Sequence, residues 1–539
     1  MHVSTCNSTS AIVSPSTLLV RRVPMYPWNH PSVVLLLSLC LPVVVGCEPN
    51  TDGVATGLPS QGNTADYEQA ETVVTIVPRG IQPDRMIVSY NDRTQDPGDP
   101  KIIYPSGLSG DDRTIFRGAS LMGWSTSVDD GATFTYQGKV QPPVGWSLVW
   151  GDPALTTSGD LTVYLANLAG SDVKFPPSGE IVNMGVRDFL DGFCVARSGN
   201  GGVAFSAVEC FKKGVCEGAN LACSNDADCF SGQCNGVLYD GSALAATGTD
   251  VFFASTDVHN STVDVWQAST AGLNFQRIAD LPFDNNEMTL HPRLRIFGNR
   301  LYVLAHRSDG VVLASFLEIG TSTFSDPLAV SLTADVNFTA FLSDRALRTA
   351  NQFSFDVGNG SATSGAELRV AITRILGEKR HIEVYRCSRD LLPLPGFPGV
   401  AQCEFAIPWS SIEERGDNWS PLLKVAGVPP VWKLVYLSRE ENPEGNTVSV
   451  QQGNLVILPD GTRSFVGSKV VDPQVPCNSQ NVGFAADPGG YWGDYNDLTN
   501  LLSSPANSQR FVTPFTDNRT GCDFRGKWTA EMHVSVAVF

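Results

Sequence analysis

The chain has 539 residues, with 55 acidic against 37 basic side chains and a formal charge of −18. That balance argues against nucleic acid as a partner, since binding phosphates requires a basic face. It also repels other polyanions, so an anionic sugar would bind only where basic side chains are locally concentrated.

Residues 1–46 contain no Asp, Glu or Lys, only Arg21 and Arg22, and they finish in an apolar run from Pro31 to Gly46 that stops at Cys47. This is the layout of a signal peptide. A membrane-spanning helix needs about 20 apolar residues, and this run is shorter and holds Pro42. Val44-Val45-Gly46-Cys47 resembles a bacterial lipobox. The resemblance implies cleavage before Cys47, diacylation of its sulfur and anchoring in the cell envelope, and Glu48 in place of Asp favours the outer membrane. Two acyl chains suffice for stable anchoring, because each buried CH2 contributes roughly 0.8 kcal/mol. The long stretch before Pro31 leaves the start codon open, although a start at Met25 would discard both arginines. Loss of the leader takes the formal charge from −18 to −20.

Residues 47–68 are rich in Gly, Pro, Ser, Thr and Asn and read as a flexible tether. From Glu71 onward, short β-branched and aromatic runs alternate with turn residues, and no long amphipathic helix is evident. Strands are expected at Val73–Val77, Arg85–Tyr90, Leu161–Leu165, Val251–Ala254, Arg300–His306, Glu367–Ile375 and Val431–Leu437. The fold class is all-β.

Ser127-Val128-Asp129-Asp130-Gly131-Ala132-Thr133-Phe134 matches every fixed position of the pattern S-x-D-x-G-x-T-F/W. In the motif formed by Ser127, Asp129, Gly131, Thr133 and Phe134, the Ser and Asp oxygens accept turn amides, the Gly supplies a positive φ, and the aromatic ring plugs the base of the blade. Ser198-Gly199-Asn200-Gly201-Gly202-Val203-Ala204-Phe205 repeats it, with Asn200 for Asp and Ala204 for Thr around Ser198, Gly202 and Phe205. A fainter copy ends at Gly272 and Phe275. The closing phenylalanines fall at 134, 205 and 275, which suggests one four-stranded blade per repeat. These segments resemble the Asp-box (BNR) repeats of the sialidase-like β-propellers. The resemblance implies a propeller over 69–539, with six blades favoured and seven also compatible. Closure is expected to bring the strand at Val73–Val77 into the last blade, built around Phe511–Phe539.

Trp150-Gly151-Asp152 and Trp492-Gly493-Asp494, the latter followed by Asp497, repeat a second element that reads as the start of an innermost strand. His291-Pro292-Arg293 occupies the comparable place before Arg300–His306. Asp152, His291, Arg293, Asp494 and Asp497 are therefore expected near one mouth of the central channel. There they could hold a cation or position a sugar and its attacking water. The structural alternative is that Asp152 and Asp494 simply accept hydrogen bonds from turn amides. Sialidases carry an arginine in a Phe/Tyr-Arg-Ile-Pro motif ahead of the first box. The nearest strings here, Ile115-Phe116-Arg117-Gly118 and Val77-Pro78-Arg79-Gly80, lack the Ile-Pro, so no catalytic residue carries over. Arg519 is a further candidate for a binding face.

Of thirteen cysteines, Cys6 and Cys40 lie in the leader and Cys47 carries the lipid. The remaining ten suit disulfides in an oxidising compartment. Cys387 with Cys403, and Cys477 with Cys522, are the expected local pairs. Cys210, Cys216, Cys223, Cys229 and Cys234 mark an inserted module at about 210–234, and Cys194 completes an even set of six. Zinc is the weaker reading of that spacing. Asn225, Asp226 and Asp228 could ligate Ca2+ in the loop after Cys223, or form a solvated turn. No Walker A loop, G-x-S-x-G elbow, H-E-x-x-H or Rossmann fingerprint is present. The expectation is a monomeric envelope propeller that binds a glycan or protein ligand. The alternatives are a divergent glycoside hydrolase or lyase using channel-mouth carboxylates, and a structural role in envelope assembly.

Overall fold

A computed structural model describes residues 54–55, 69–92, 101–104, 113–116, 120, 122–146, 148–170, 192–216, 222–223, 234–236, 239–258, 260–281, 289–307, 310–330, 353–359, 365–376, 379–407, 416–427, 430–440, 448–457, 463–469, 498–500, 510–517 and 533–538. Among them there is no helix, and the strands assemble into a six-bladed β-propeller of mostly four-stranded antiparallel sheets.

Val54–Ala55 forms β1. Blade I contains β2 (Gln69–Arg79), β3 (Gln82–Asp92), β6 (Met122–Ser127) and β7 (Thr135–Lys139), with the small hairpin β4 (Lys101–Tyr104) and β5 (Arg113–Phe116) inserted. Blade II contains β9 (Ala154–Thr157), β10 (Val163–Gly170), β11 (Gly192–Ser198) and β12 (Ala207–Lys212), and β8 (Leu148–Val149) also pairs with β10. A separate three-stranded sheet follows, made of β13 (Gly214–Cys216), β14 (Ala222–Cys223) and β15 (Cys234–Gly236). Blade III is β16 (Tyr239–Ala246), β17 (Asp250–Asp257), β18 (Thr262–Ser269) and β19 (Gln276–Leu281). Blade IV is β20 (Thr289–Phe297), β21 (Arg300–Arg307), β22 (Val312–Glu318) and β23 (Leu328–Ala329). Blade V is β24 (Phe353–Asn359), β25 (Ala366–Leu376), β26 (Lys379–Ser388) and β29 (Cys403–Ile407). Its hairpin β27 (Pro393–Leu394) and β28 (Phe397–Ala401) adds to the outer edge of blade IV. Blade VI is β30 (Gly416–Ala426), β31 (Val431–Glu440), β32 (Val448–Ile457) and β33 (Arg463–Lys469). A smaller sheet of β34 (Thr499–Asn500), β35 (Phe511–Asp517), β36 (His533–Val538) and β1 packs between β30 and β2, where the ring closes.

The strand expectations hold except at Leu161, which sits in a turn with φ 66° while β10 begins at Val163. Closure differs from expectation. β2 is the innermost strand of blade I, and it is Val54–Ala55, within the expected tether, that pairs with Val536 and Ser535. An outermost position needs only a short strand with one free edge, which two residues can fill; the long apolar β2 suits an inner position buried on both faces.

Because successive strands alternate in direction, every innermost strand starts at one face, the upper, and ends at the other. The three box-like segments occupy equivalent lower-face corners between the third and fourth strands of blades I, II and III. Ser127 Oγ accepts from Gly131 N at 3.0 Å and donates to Asp129 at 2.7 Å, and Asp129 accepts from Thr133 N at 2.9 Å and Thr133 Oγ1 at 2.6 Å. Ser198 and Asn200 repeat the pattern toward Gly202 N at 2.9 Å and Ala204 N at 3.0 Å. Each closing ring then packs on the preceding sheet: Phe134 beside Val512, Phe205 edge-on to Trp124, and Phe275 edge-on to Phe193 and Phe211. Blade IV has a fourth such corner, where Phe324 packs on the apolar face it shares with blade III. Phe324 follows Phe275 at a shorter interval than seventy, so that period reflects the long connections 171–191 and 213–238 and not the blade itself.

Arginines of each preceding sheet also grip the next corner. Arg510 reaches Asp130 at 3.2 Å, Arg85 the carbonyls of Asn200 and Gly201 at 2.9 and 3.2 Å, and Arg197 those of Thr270 and Ala271 at 3.1 and 3.2 Å. Arg300 and Tyr302 do the same at Arg389 in blade V. The apolar core is correspondingly divided among the blade interfaces, as in the set of Val73, Val77, Ile87, Trp124, Leu155 and Leu165 between blades I and II.

Among the described residues two disulfides are formed, Cys194–Cys210 and Cys387–Cys403, each joining directly opposed residues of neighbouring strands. Cys210 therefore belongs to blade II, and the inserted module begins beyond it. Cys216, Cys223 and Cys234 lie on its strands. Cys47, Cys229, Cys477 and Cys522 lie outside the described residues.

The corner chemistry predicts an ordered pair of effects in urea denaturation. Hydrogen bonds to a charged acceptor contribute about 1.5–3 kcal/mol and neutral ones about 0.5–1.5. Asp129→Ala is expected to cost more stability than Asn200→Ala.

Candidate functional site

The upper mouth of the channel is built by the starts of the innermost strands. Asp152 stands just before β9 with φ 60°, and its N–H donates to Asn91 Oδ1 at 3.1 Å. Gly151 permits that approach, since a Cβ there would lie 2.4 Å from the Asn91 side chain. Asp152 Oδ2 in turn accepts the Gly241 N–H at 3.1 Å. Gly241 has φ 67° at a bulge in β16, and a Cβ on it would sit 3.1 Å from His291 Cα and Nδ1. His291, buried and with φ 48°, occupies the bulge of β20 between Leu290 and Arg293. Asp152 and His291 thus lie on the two sides of Gly241, and the amide that Asp152 accepts belongs to blade III and not to its own turn. Arg293 follows on the same strand, half-buried. Asp494, Asp497, Arg519, Asp226 and Asp228 lie outside the described residues.

A signal in the sequence marks this arrangement. Asp152-Pro153, His291-Pro292 and Ser420-Pro421 all place a polar residue before proline at the start of an innermost strand. Ser420 too has φ 54°, in the bulge of β30 between Trp419 and Leu422. Proline lacks an N–H, so within sheets it is tolerated at strand starts, on edge strands and at bulges; Pro153 precedes β9, and Pro292 and Pro421 lie in the bulges of β20 and β30, all three being edge strands. A non-glycine residue in the left-handed region costs of order 1–3 kcal/mol and persists only where its surroundings enforce it. Three such residues share one face. The long connections 93–121, 171–191, 213–238, 330–352 and 470–498 also leave from that face, whereas the turns 80–81, 158–162, 247–249 and 298–299 on the lower face are short.

Deeper in the channel, Asp356 of β24 lies 3.8 Å from Arg295 of β20 and 3.4 Å from Lys424 of β30, and it accepts the Val425 N–H at 2.9 Å. Leu294 and Ile296 pack toward blade III and Phe297 toward blade V. By strand alternation Arg293 and Arg295 face the blade V side. Among the described residues no group of three His, Cys, Asp or Glu side chains is arranged to hold a metal ion.

A second polar cluster at the upper face was not foreseen. Lys213, the last residue before the inserted sheet, reaches Asp257 at 2.9 Å, Asp264 at 3.2 Å and Asp280 at 3.8 Å. Tyr239, the first residue of β16 after that sheet, donates to Asp264 Oδ2 at 3.1 Å. Both roots of the inserted module are therefore tied to one fully buried carboxyl. Burial pushes Asp264 up to about 7, reinforced by Asp280 and Asp257 and opposed by Lys213. Burial works against the Lys213 ammonium as well, but the carboxylates outweigh it and hold its pKa above the ordinary value. A folded-state pKa above that of the unfolded chain gives a contribution to stability that is complete below about pH 4 and is lost as pH rises to about 7. Asp264→Asn is expected to flatten the fall of Tm across that window, measured by thermal melts at a series of pH values.

No family model and no curated protein matches the chain. Its fold is similar to that of several solved structures. One is a protein of unknown function from Dyadobacter fermentans, 10% identical over 90% of this chain and 97% of that one, with a TM-score of 0.43. The NanB sialidase from Streptococcus pneumoniae is 10% identical over 88% and 69%, with a TM-score of 0.38. An ulvan lyase of polysaccharide lyase family PL25 is 10% identical over 88% and 94%, with a TM-score of 0.42.

Proposed function

We propose that this protein is an exported, lipid-anchored recognition propeller of the Asp-box type that binds a glycan at its upper mouth. The observation that carries the reading is the set of left-handed polar residues on innermost strands, Asp152 just before β9 and His291 and Ser420 in the bulges of β20 and β30, on the side that bears the long connections. Strain held in this way clusters at binding and catalytic positions, and loops on a rigid scaffold are where recognition concentrates. A saccharide suits a concave mouth with a few fixed polar groups. The lower-face corners support the Asp-box reading, because Ser127, Asp129 and Gly131 perform the tasks that the motif assigns to them. The lipobox at Cys47 supports anchoring in the envelope, with the outer membrane favoured by Glu48.

Binding fits this site better than hydrolysis does, since one Asp152 oxygen is already engaged by Gly241 N–H. A glycan array with the full-length protein provides the ligand for the test. His291→Asn retains a residue tolerant of the left-handed region and is expected to change stability by less than about 1 kcal/mol. Together with Arg293→Ala it is expected to weaken binding about tenfold or more, the range of a buried contact at an interface centre. Wild-type affinity in both variants would overturn the proposal. Turnover of fluorogenic glycosides that is abolished by Asp152→Asn would replace it with a glycosidase. Capture of one stoichiometric protein with no glycan signal would replace the ligand class.

A further inference from the structure

The large, strongly exposed apolar side chains are distributed unevenly. Ile81, Val128, Leu161 and Val203 project from lower-face turns of blades I and II, and Leu392 and Phe397 from the lower corner of blade V. Among the described residues Val144 alone stands on the upper face. Ile81 and Leu161 occupy the tips of the innermost hairpins of blades I and II, and Val128 and Val203 their outer corners, so the four share the lower side of two adjacent blades. The guanidinium groups of Arg79, Arg85 and Arg197 on that side offset the carboxylates of Asp129, Asp130 and Asp160. This face is thereby locally balanced within a chain of net charge −18.

The direction of β1 connects this patch to the anchor. Asp130 is a lower-face residue, and its ion pair with Arg510 fixes the start of β35 at that face. β35 runs upward from there, and β36 returns downward toward Val538, which opposes Val512. β1 is antiparallel to β36, with Val54 opposite Val536 and Ala55 opposite Ser535, so the chain comes into the propeller from below. Six residues lie between Cys47 and Val54, so the seven Cα–Cα steps reach at most about 25 Å when fully extended.

We infer that the lower face around blades I and II rests on the bilayer to which Cys47 is anchored, leaving the upper mouth directed away from the membrane. The inference rests on the reading of Cys47 as acylated. A short leash attached at the patch side brings the apolar tips to the lipid at high local concentration, and Arg beside aliphatic side chains suits a headgroup layer. The short lower-face turns permit close approach.

The test uses the full-length acylated protein in vesicles of phosphatidylethanolamine and phosphatidylglycerol, with and without bromine-labelled acyl chains. Ile81→Trp and Val144→Trp each place a reporter at a fully exposed position, where the fold is least perturbed. Brominated lipid is expected to quench the emission added by Ile81→Trp and to leave that added by Val144→Trp unchanged. Quenching of Val144→Trp, or of neither, would overturn the orientation. A shift of the Ile81→Trp emission that depends on protein concentration and not on lipid would assign the patch to a second copy and likewise overturn it. The mass of the peptide bearing Cys47 separates the two failures: an unmodified cysteine sinks the anchor reading itself, whereas a diacylated one with the wrong quenching pattern sinks the orientation alone.

Discussion

The innermost strand of a propeller blade has one edge with no strand to pair with, and every amide on that edge must find another acceptor. In this protein neighbouring blades supply it. Asp152 caps Gly241, Ser354 caps Leu423 at 3.0 Å, and Asp356 caps Val425. Prolines at 153, 292 and 421 remove donors that would otherwise need such a partner. The ring of blades is thus held at its hub by polar side chains crossing from one sheet to the next, and the geometry of the mouth follows from that requirement.

At the periphery the same problem of joining separate sheets is solved by packing. The lower corners of blades I to IV lay an aromatic ring on the preceding sheet, while arginines of the preceding sheet reach an Asp130 oxygen in blade I and corner carbonyls in blades II, III and V. Burying a ring of this size is worth on the order of 1.5–3 kcal/mol. The hub is joined by polar side chains, and the rim by buried rings with arginine contacts at its corners. Such a division keeps stability away from the surface offered to a ligand.

Much of this was legible in the sequence, and the reasons differ by element. The corners were readable because a hairpin with one glycine, two short acceptors and a ring demands a fixed spacing, which Ser127–Phe134 and Ser198–Phe205 display. Trp150-Gly151-Asp152 was readable as a strand start because the same Trp-Gly-Asp string recurs at 492–494, and the structure gives the physical reason at the first copy, where Gly151 has no room for a side chain beside Asn91. The seventy-residue period misled about blade length, since insertions of similar size happened to fall in consecutive blades. The Asp264 cluster was not legible. Lys213, Tyr239, Asp257, Asp264 and Asp280 are scattered along the chain, and only the three-dimensional meeting of strand ends reveals them. Ser420 was missed although Ser420-Pro421 shares the dipeptide signature of Asp152 and His291, which becomes recognisable only once the innermost strands have been assigned.

The pairing of Val54–Ala55 with β36 couples the two extremes of the folded body across the whole length of the polypeptide. A protein exported from its N-terminal end would hold β1 waiting, unpaired, while all six blades emerge behind it. The circle can then lock only after the final strand has been delivered, so the last step of maturation is also the contact of greatest sequence separation, the kind whose loop-closure entropy slows folding most.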